Sequence, residues 1–142
     1  MKQEILYKGK RPLSGKWIKG FPFKIGIHAY ILSEKFSSPE CSCEVLSETF
    51  CQFIFSANGH SFFQNDILKR EKSNQLWVIV WNEEINNFSC LTDFEYRMLS
   101  NPDQRQFVFS NHSTVNYAWI LKNNFFPIGN IIDNPELLEA AN

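Results

Sequence analysis

Leu76-Trp77-Val78-Ile79-Val80-Trp81 is the stretch on which the fold turns. It is β-branched and aromatic throughout, the composition of a strand. Side chains leave a strand on alternate faces, so a run without a polar position is apolar on both of them. It therefore reads as the central strand of a small, strongly curved sheet rather than as a free edge. Turn-forming residues bound it, with Lys72-Ser73-Asn74-Gln75 before it and Asn82-Glu83-Glu84-Ile85-Asn86 after it, and Asn87 to Leu91 returns as the next strand.

Upstream, the clearest hairpin runs from Cys51-Gln52-Phe53-Ile54-Phe55 into Ser56-Ala57-Asn58-Gly59, because Asn-Gly supplies the two positive φ angles of a type I′ turn. Phe62-Phe63-Gln64-Asn65-Asp66-Ile67-Leu68-Lys69-Arg70 reads as a turn at Asn65-Asp66 followed by a strand. Residues 5 to 31 read as short strands: Ile5 to Lys8, a turn at Pro12-Leu13-Ser14-Gly15, Lys16 to Lys19, a break at Gly20 to Pro22, then Phe23 to Leu32. Ser33 to Ser42, which holds Ser37-Ser38-Pro39-Glu40, reads as an exposed loop.

Downstream, Thr92-Asp93-Phe94-Glu95 fits a capping box and predicts a short helix from Asp93 to Leu99, stopped by Asn101-Pro102. Further strands are expected near Gln106 to Ser110, Val115 to Leu121 and Phe126 to Ile132. In the closing segment, Ile128-Gly129-Asn130-Ile131-Ile132 gives way to a helix start: Asn134 as N-cap, Pro135 at the first helical position, Glu136 in the first turn. A helix over 134–141 is too short to persist alone, so it requires Leu137 and Leu138 to dock on the domain. Without repeats, low-complexity tracts or a linker, the 142 residues are expected to form a single domain, with an N-terminal β segment to about residue 50, a core over about 51–132 and the helix at the end.

The chain is 44% hydrophobic and 20% charged, an ordinary globular balance, but its 14 phenylalanines leave more rings than a small core readily hides. No apolar run approaches the roughly 18 residues of a membrane span. The N-terminus lacks an apolar stretch and cleavage site, so a cytoplasmic protein is expected, with Cys41, Cys43, Cys51 and Cys90 as free thiols. A net charge of −1 conceals an asymmetry: seven bases and one acid in residues 1–24 give +6, and the remainder carries −7. Such a basic segment suits nucleic acid, or else an acidic surface of its own domain or of a neighbouring subunit.

Several motifs recur in an order that resembles the YopX family of phage and prophage proteins. They are Tyr7-Lys8-Gly9-Lys10-Arg11, Gly15-Lys16-Trp17-Ile18-Lys19-Gly20, Glu48-Thr49-Phe50-Cys51-Gln52-Phe53, Asn58-Gly59, Phe62-Phe63-Gln64-Asn65-Asp66-Ile67-Leu68, Val80-Trp81-Asn82, and the closing Ile128 to Leu138. The resemblance runs almost end to end. It implies an SH3-like barrel core with additional strands, on a protein of phages and other mobile genetic elements with no established activity; with the helices read from their caps, the expected fold is mainly β, an SH3-like small barrel core with additional N-terminal strands, one short internal helix and a short C-terminal helix. Asn65-Asp66 stands where the family usually has Gly-Asp, a tolerable change because Asn enters the left-handed region more readily than most residues. Residues from about Phe94 to Ser113 look like an insertion.

Chemistry-bearing motifs are sparse. Cys41-Ser42-Cys43 with Cys51 and His60 invites a zinc reading, but C-x-C lacks the two-to-four-residue separation of a zinc knuckle, so no metal and no cofactor are expected. Asp66, Glu83 and Glu84 and the histidines His28, His60 and His112 lie in no nucleophile or metal motif, and no phosphate loop is present, so no catalytic residue is assigned. Asp66 suits a turn in which its carboxylate accepts backbone N–H groups. A non-enzymatic protein-interaction or assembly module is the leading expectation, with an unknown protein partner or self-association into a homo-oligomer absorbing the aromatic excess. The alternative is a nucleic-acid-binding barrel, in which Lys8, Lys10, Arg11, Lys16, Trp17 and Lys19 supply the contacts and Tyr7, Phe21 and Phe23 the remaining rings. No membrane contact is expected.

Overall fold

The computed structural model describes residues 6–33 and 42–139. Cys41, the centre of the loop expected between Ser33 and Ser42, and the first residue of the expected strand at Ile5 lie outside the described residues, as do the last two positions of the expected 134–141 helix. The protein is mainly β, with two antiparallel sheets and a few short helices. Its contacts group into two compact units, Met1–Phe53 and Ile54–Asn142.

The first unit holds β1 (Tyr7–Lys10), β2 (Trp17–Ile25), β3 (His28–Ser33), β4 (Ser42–Val45), a one-turn 3-10 helix (Ser47–Thr49) and the start of β5 (Cys51–Ala57). The order β4-β3-β2-β1 continues onto β5 through the pairs Tyr7–Gln52 and Lys8–Cys51. The turn before Lys16 is present, with the Gly15 N–H donating to the Arg11 carbonyl at 3.0 Å. The expected break at Gly20 to Pro22 is absent. β2 runs through it, because β1 ends opposite Gly20 and leaves β3 as the flanking strand beyond that point, so a proline is accommodated. Gly20 itself is required by close approach: a Cβ there would collide with the Leu32 carbonyl oxygen. The real reversal lies at Gly26-Ile27, between Ile25 and its partner His28.

One face of this sheet is a core. Ala29, Ile31 and Val45 are buried there, with Tyr7, Ile18 and Phe50 packed against them. The sheet curls until the end of β4 reaches β1: the Leu46 N–H donates to the Lys10 carbonyl at 2.8 Å, and a Cβ on Gly9 would press on Val45. The Lys10 N–H donates to Thr49 Oγ1 at 2.8 Å.

In the second unit, β5 folds back on β6 (His60–Phe63) through Asn58-Gly59, whose φ angles of 55° and 78° are those a type I′ turn needs. A turn with Asn65 at φ 74° leads to β7 (Asp66–Arg70), where the Asp66 carboxylate accepts the Phe63 N–H at 2.8 Å. β8 (Leu76–Asn82), β9 (Asn87–Thr92) and the late strand β10 (Phe125–Asn130) complete a sheet in the order β10-β7-β8-β9. β8 is therefore an interior strand. Its alternation serves two cores: Ile79 joins Leu68, Phe88, Phe62, Phe125 and Ile120 on one face, while Val78 and Val80 join Ile67, Leu91, Val108, Phe109 and Leu138 on the other. The mainly β core expected as an SH3-like small barrel is present but not closed: the sheet stays open in the pairing order, with β10 and β9 at its ends, and is covered on both faces.

The capping box is present: Thr92 Oγ1 accepts the Glu95 N–H at 3.2 Å and Glu95 Oε1 accepts the Thr92 N–H at 3.0 Å, starting α1 (Asp93–Met98). The strand expected near Gln106 to Ser110 is instead helix α2 (Pro102–Ser110). Asn101-Pro102 ends α1 but also begins α2, since Asn101 Oδ1 accepts the Asp103 and Gln104 N–H groups at 3.0 and 3.4 Å with Pro102 in the first turn. The strand expected over Val115 to Leu121 is likewise overturned. Val115 donates to the Phe88 carbonyl at 2.8 Å like a strand residue, but Asn116 then caps α3 (Tyr117–Lys122). Among the described residues, three internal α-helices thus stand where one was expected.

The closing segment corrects a further expectation. A 3-10 helix, Pro135–Leu138, follows Asn134 and ends at Glu139, and Asn134 does not cap it. Its side chain turns back to accept the Asn130 N–H at 3.3 Å, which ties the turn to β10 instead. Of the two leucines expected to dock, Leu138 is 3% exposed and Leu137 is 37% exposed. A single turn presents one of two neighbouring side chains to the core.

Candidate functional site

β1 and β2 bring four of the six expected contact residues onto one face. Lys8 lies opposite Lys19 and Lys10 opposite Trp17, so alternation directs all four away from the Ala29, Ile31 and Val45 core. The Lys8 ammonium stands 4.8 Å and the Lys10 ammonium 6.0 Å from the Trp17 ring centroid, within reach of a cation–π attraction. Arg11 and Lys16 are exposed at the hairpin end, joined by a bond of 2.9 Å from the Arg11 N–H to the Lys16 carbonyl.

The same parity continues along β2. Phe21 and Phe23 follow Trp17 and Lys19 on this outer face and remain 41% and 38% exposed. Register then adds residues that the sequence reading did not assign. Phe23 is opposite Tyr30, and their rings stack with centroids 5.3 Å apart and planes 16° from parallel. At the end of the face farthest along β2, His28 Nδ1 and Glu44 Oε2 are 3.1 Å apart. The signal that would have found Tyr30 is the Gly26-Ile27 reversal, since only a turn there folds His28 to Ser33 back beside β2. Tyr7, expected among the contact rings, belongs to the opposite face: its hydroxyl donates to Gln52 Oε1 at 3.1 Å and its ring meets Phe50 edge-on.

Of the carboxylates and histidines weighed for hydrolysis, Asp66, Glu83, His28 and His112 are engaged locally through their side chains. Asp66 holds its turn. Glu83 accepts two bonds from Arg105, at 2.8 and 3.1 Å, and that guanidinium holds the Glu83 carboxyl below the usual carboxylate range. Glu84 donates its backbone N–H to Asn82 Oδ1 at 3.0 Å. His112 bridges the Glu95 carboxylate at 3.1 Å and the Val108 carbonyl at 2.9 Å, and His60 lies beside the Phe126 ring.

Cys43 and Cys90 are free thiols. Burial, reinforced by the Glu95 charge, pushes the Cys90 thiol up to about 12, so it stays protonated and a weak nucleophile at neutral pH. Among the described residues, no group of three or more His, Cys, Asp or Glu side chains could hold a metal ion, and no helix is long and apolar enough to cross a membrane.

A concavity of about 700 Å³ lies in the second unit between Tyr96, Arg97, Leu99, Arg105, Pro135 and Leu138. Its two arginines are already committed: Arg97 donates to the Leu138 carbonyl at 3.1 Å and Arg105 grips Glu83. It reads as the seam where the closing turn meets α1 and α2. No protein-family model, no curated protein and no solved structure matches the chain.

Proposed function

We propose that this protein is a non-enzymatic interaction module whose working surface is the outer face of the N-terminal sheet. One observation carries the reading: a sheet with a built core on one side keeps Trp17, Phe21 and Phe23 and three lysines together on the other. Exposed rings cost solvation unless something covers them, and aromatic side chains beside cations are the composition of binding faces. The ordered motifs support a place among YopX-like proteins of phages and mobile genetic elements, and the free thiols Cys43 and Cys90 suit a reducing cytoplasm. A homo-oligomer formed through this face is the form self-association would take.

The test compares the wild-type chain with a Trp17→Ala/Phe21→Ala/Phe23→Ala variant of matched melting temperature. Both are used to retain partners, protein and nucleic acid, from cells carrying the gene. A partner held by the wild type and lost by the variant is the expected result. Identical retained sets for the two chains would overturn the reading.

A further inference from the structure

We infer that this protein docks on an anionic lipid surface through the tip of the β2–β3 hairpin, with Ile25 and Ile27 entering the headgroup boundary and Lys24 meeting the anionic headgroups. This contact goes beyond the outer-face reading, which uses neither isoleucine. The hairpin reverses at Gly26-Ile27, a two-residue turn whose Gly26 has φ 62°. Such a turn needs glycine at its first position and makes no demand for an apolar residue after it. Yet Ile27 is 90% exposed and Ile25 beside it 64%, so both stand clear of the Ala29, Ile31 and Val45 core. Turn tips are ordinarily polar. Two branched aliphatic side chains around a bare glycine are an exposure that the fold itself does not require.

Shape selects the occupant. Open space surrounds the position a Gly26 Cβ would take, so the isoleucines crown a convex end and do not line a groove. A flat protein face has no pocket for such an end, whereas the boundary between headgroups and acyl chains yields around it. Ile25 follows Phe21 and Phe23 on the outer side of β2, and Tyr30 stacks on Phe23 one step behind. Aromatic rings at that distance from an apolar tip suit the level of the headgroups.

Charge complements shape. Residues 1–53, the span of the first unit, hold eight bases and five acids, a net +3, against −4 for residues 54–142. Lys24 is exposed next to Ile25, and the one acid on β1 to β4, Glu44, is paired with His28 at 3.1 Å. Stable attachment to a membrane surface takes two signals, and an apolar anchor on a basic body supplies both. The expectation of no membrane contact stands on the lack of a spanning run, which a surface anchor does not need.

The test is co-sedimentation of the full chain at low ionic strength with vesicles of phosphatidylcholine and phosphatidylglycerol in equal parts, and with vesicles of phosphatidylcholine alone. Binding to the anionic vesicles is expected, at least about tenfold tighter than to the neutral ones. Ile25→Ser/Ile27→Ser should weaken it by at least about tenfold with the melting temperature unchanged, because both positions are exposed, while Ile25→Leu/Ile27→Leu keeps it. Lys24→Gln should weaken it by about fivefold, a difference that shrinks as salt screens the headgroups.

No binding of the wild type to either vesicle would overturn the inference. Anionic binding that the serine variant retains in full would also overturn it, leaving only adsorption of a basic unit. Equal binding to both vesicles would remove the role of charge and overturn it as well. The serine variant keeps Trp17, Phe21 and Phe23, so the retention comparison tests the outer face separately from the tip.

Discussion

The two sheets of this protein are built from similar residues and treat their second face in opposite ways. In the C-terminal sheet, β8 directs Ile79 into one core and Val78 and Val80 into another, so both faces are covered. In the N-terminal sheet, β2 directs Ile18 into a core but leaves Phe21 and Phe23 41% and 38% exposed on the other side, with Trp17 half-buried beside them. The difference separates rings that stabilise from rings that are available. Aromatic content alone does not say which rings are buried; the face that each strand turns to a core does.

The comparison is most sharply broken by truncating one ring on each sheet. Phe125→Ala removes a fully buried ring packed against Trp77 and Trp119, at centroid distances of 5.0 and 4.6 Å, and should cost about 3 to 5 kcal/mol. Phe23→Ala removes an outer ring held by Tyr30 and should cost under about 1 kcal/mol. Urea unfolding of the two variants checks this. Comparable losses would mean that the outer face is as structural as the covered one.

The next effect lies within the closing turn. Leu138→Ala should destabilise by about 2 to 4 kcal/mol, whereas Leu137→Ala should stay within about 0.5 kcal/mol. Melting temperatures that fall equally would contradict a turn that docks through Leu138 alone.

The smallest effect is a pH dependence. The Cys90 thiol is raised from 9.0 to about 12 in the folded protein, so its contribution to stability is complete below pH 9 and is lost as pH rises toward 12. One unit above the thiol's ordinary value, the wild type should have lost about 1 kcal/mol that a Cys90→Ala variant does not lose. Denaturant titrations of both at alkaline pH measure the difference. Parallel curves would show that the thiol is more solvated than its place in β9 indicates.

Much of the strand pattern was legible in the chain. The Asn58-Gly59 hairpin, the Asn65-Asp66 turn, the interior strand at 76 and the Thr92–Glu95 capping box each depend on side chains that act within a few residues of themselves. Asn-Pro is locally ambiguous: Asn101-Pro102 both stops one helix and starts the next, whereas Asn134 before Pro135 bonds back to Asn130 instead of capping the turn that follows. Phe107-Val108-Phe109 looked like strand because β-branched and aromatic residues favour strands in general, but an N-capped segment with Val108 and Phe109 buried on one side is satisfied as helix.

On the outer face of the N-terminal sheet, Lys8, Lys10, Trp17 and Lys19 follow from alternation and charge. Tyr30 does not, because its place opposite Phe23 depends on where β2 reverses. Nor could alternation say that Tyr7 points into the core while Lys8 points out. The sequence by itself determined a mainly β protein with a basic, ring-bearing N-terminal segment, since period-two alternation, turn chemistry and charge are properties of neighbouring residues. Only the tertiary structure decided which side of each sheet is covered, because burial depends on what distant segments bring to a face, and no residue carries that information in its own neighbourhood.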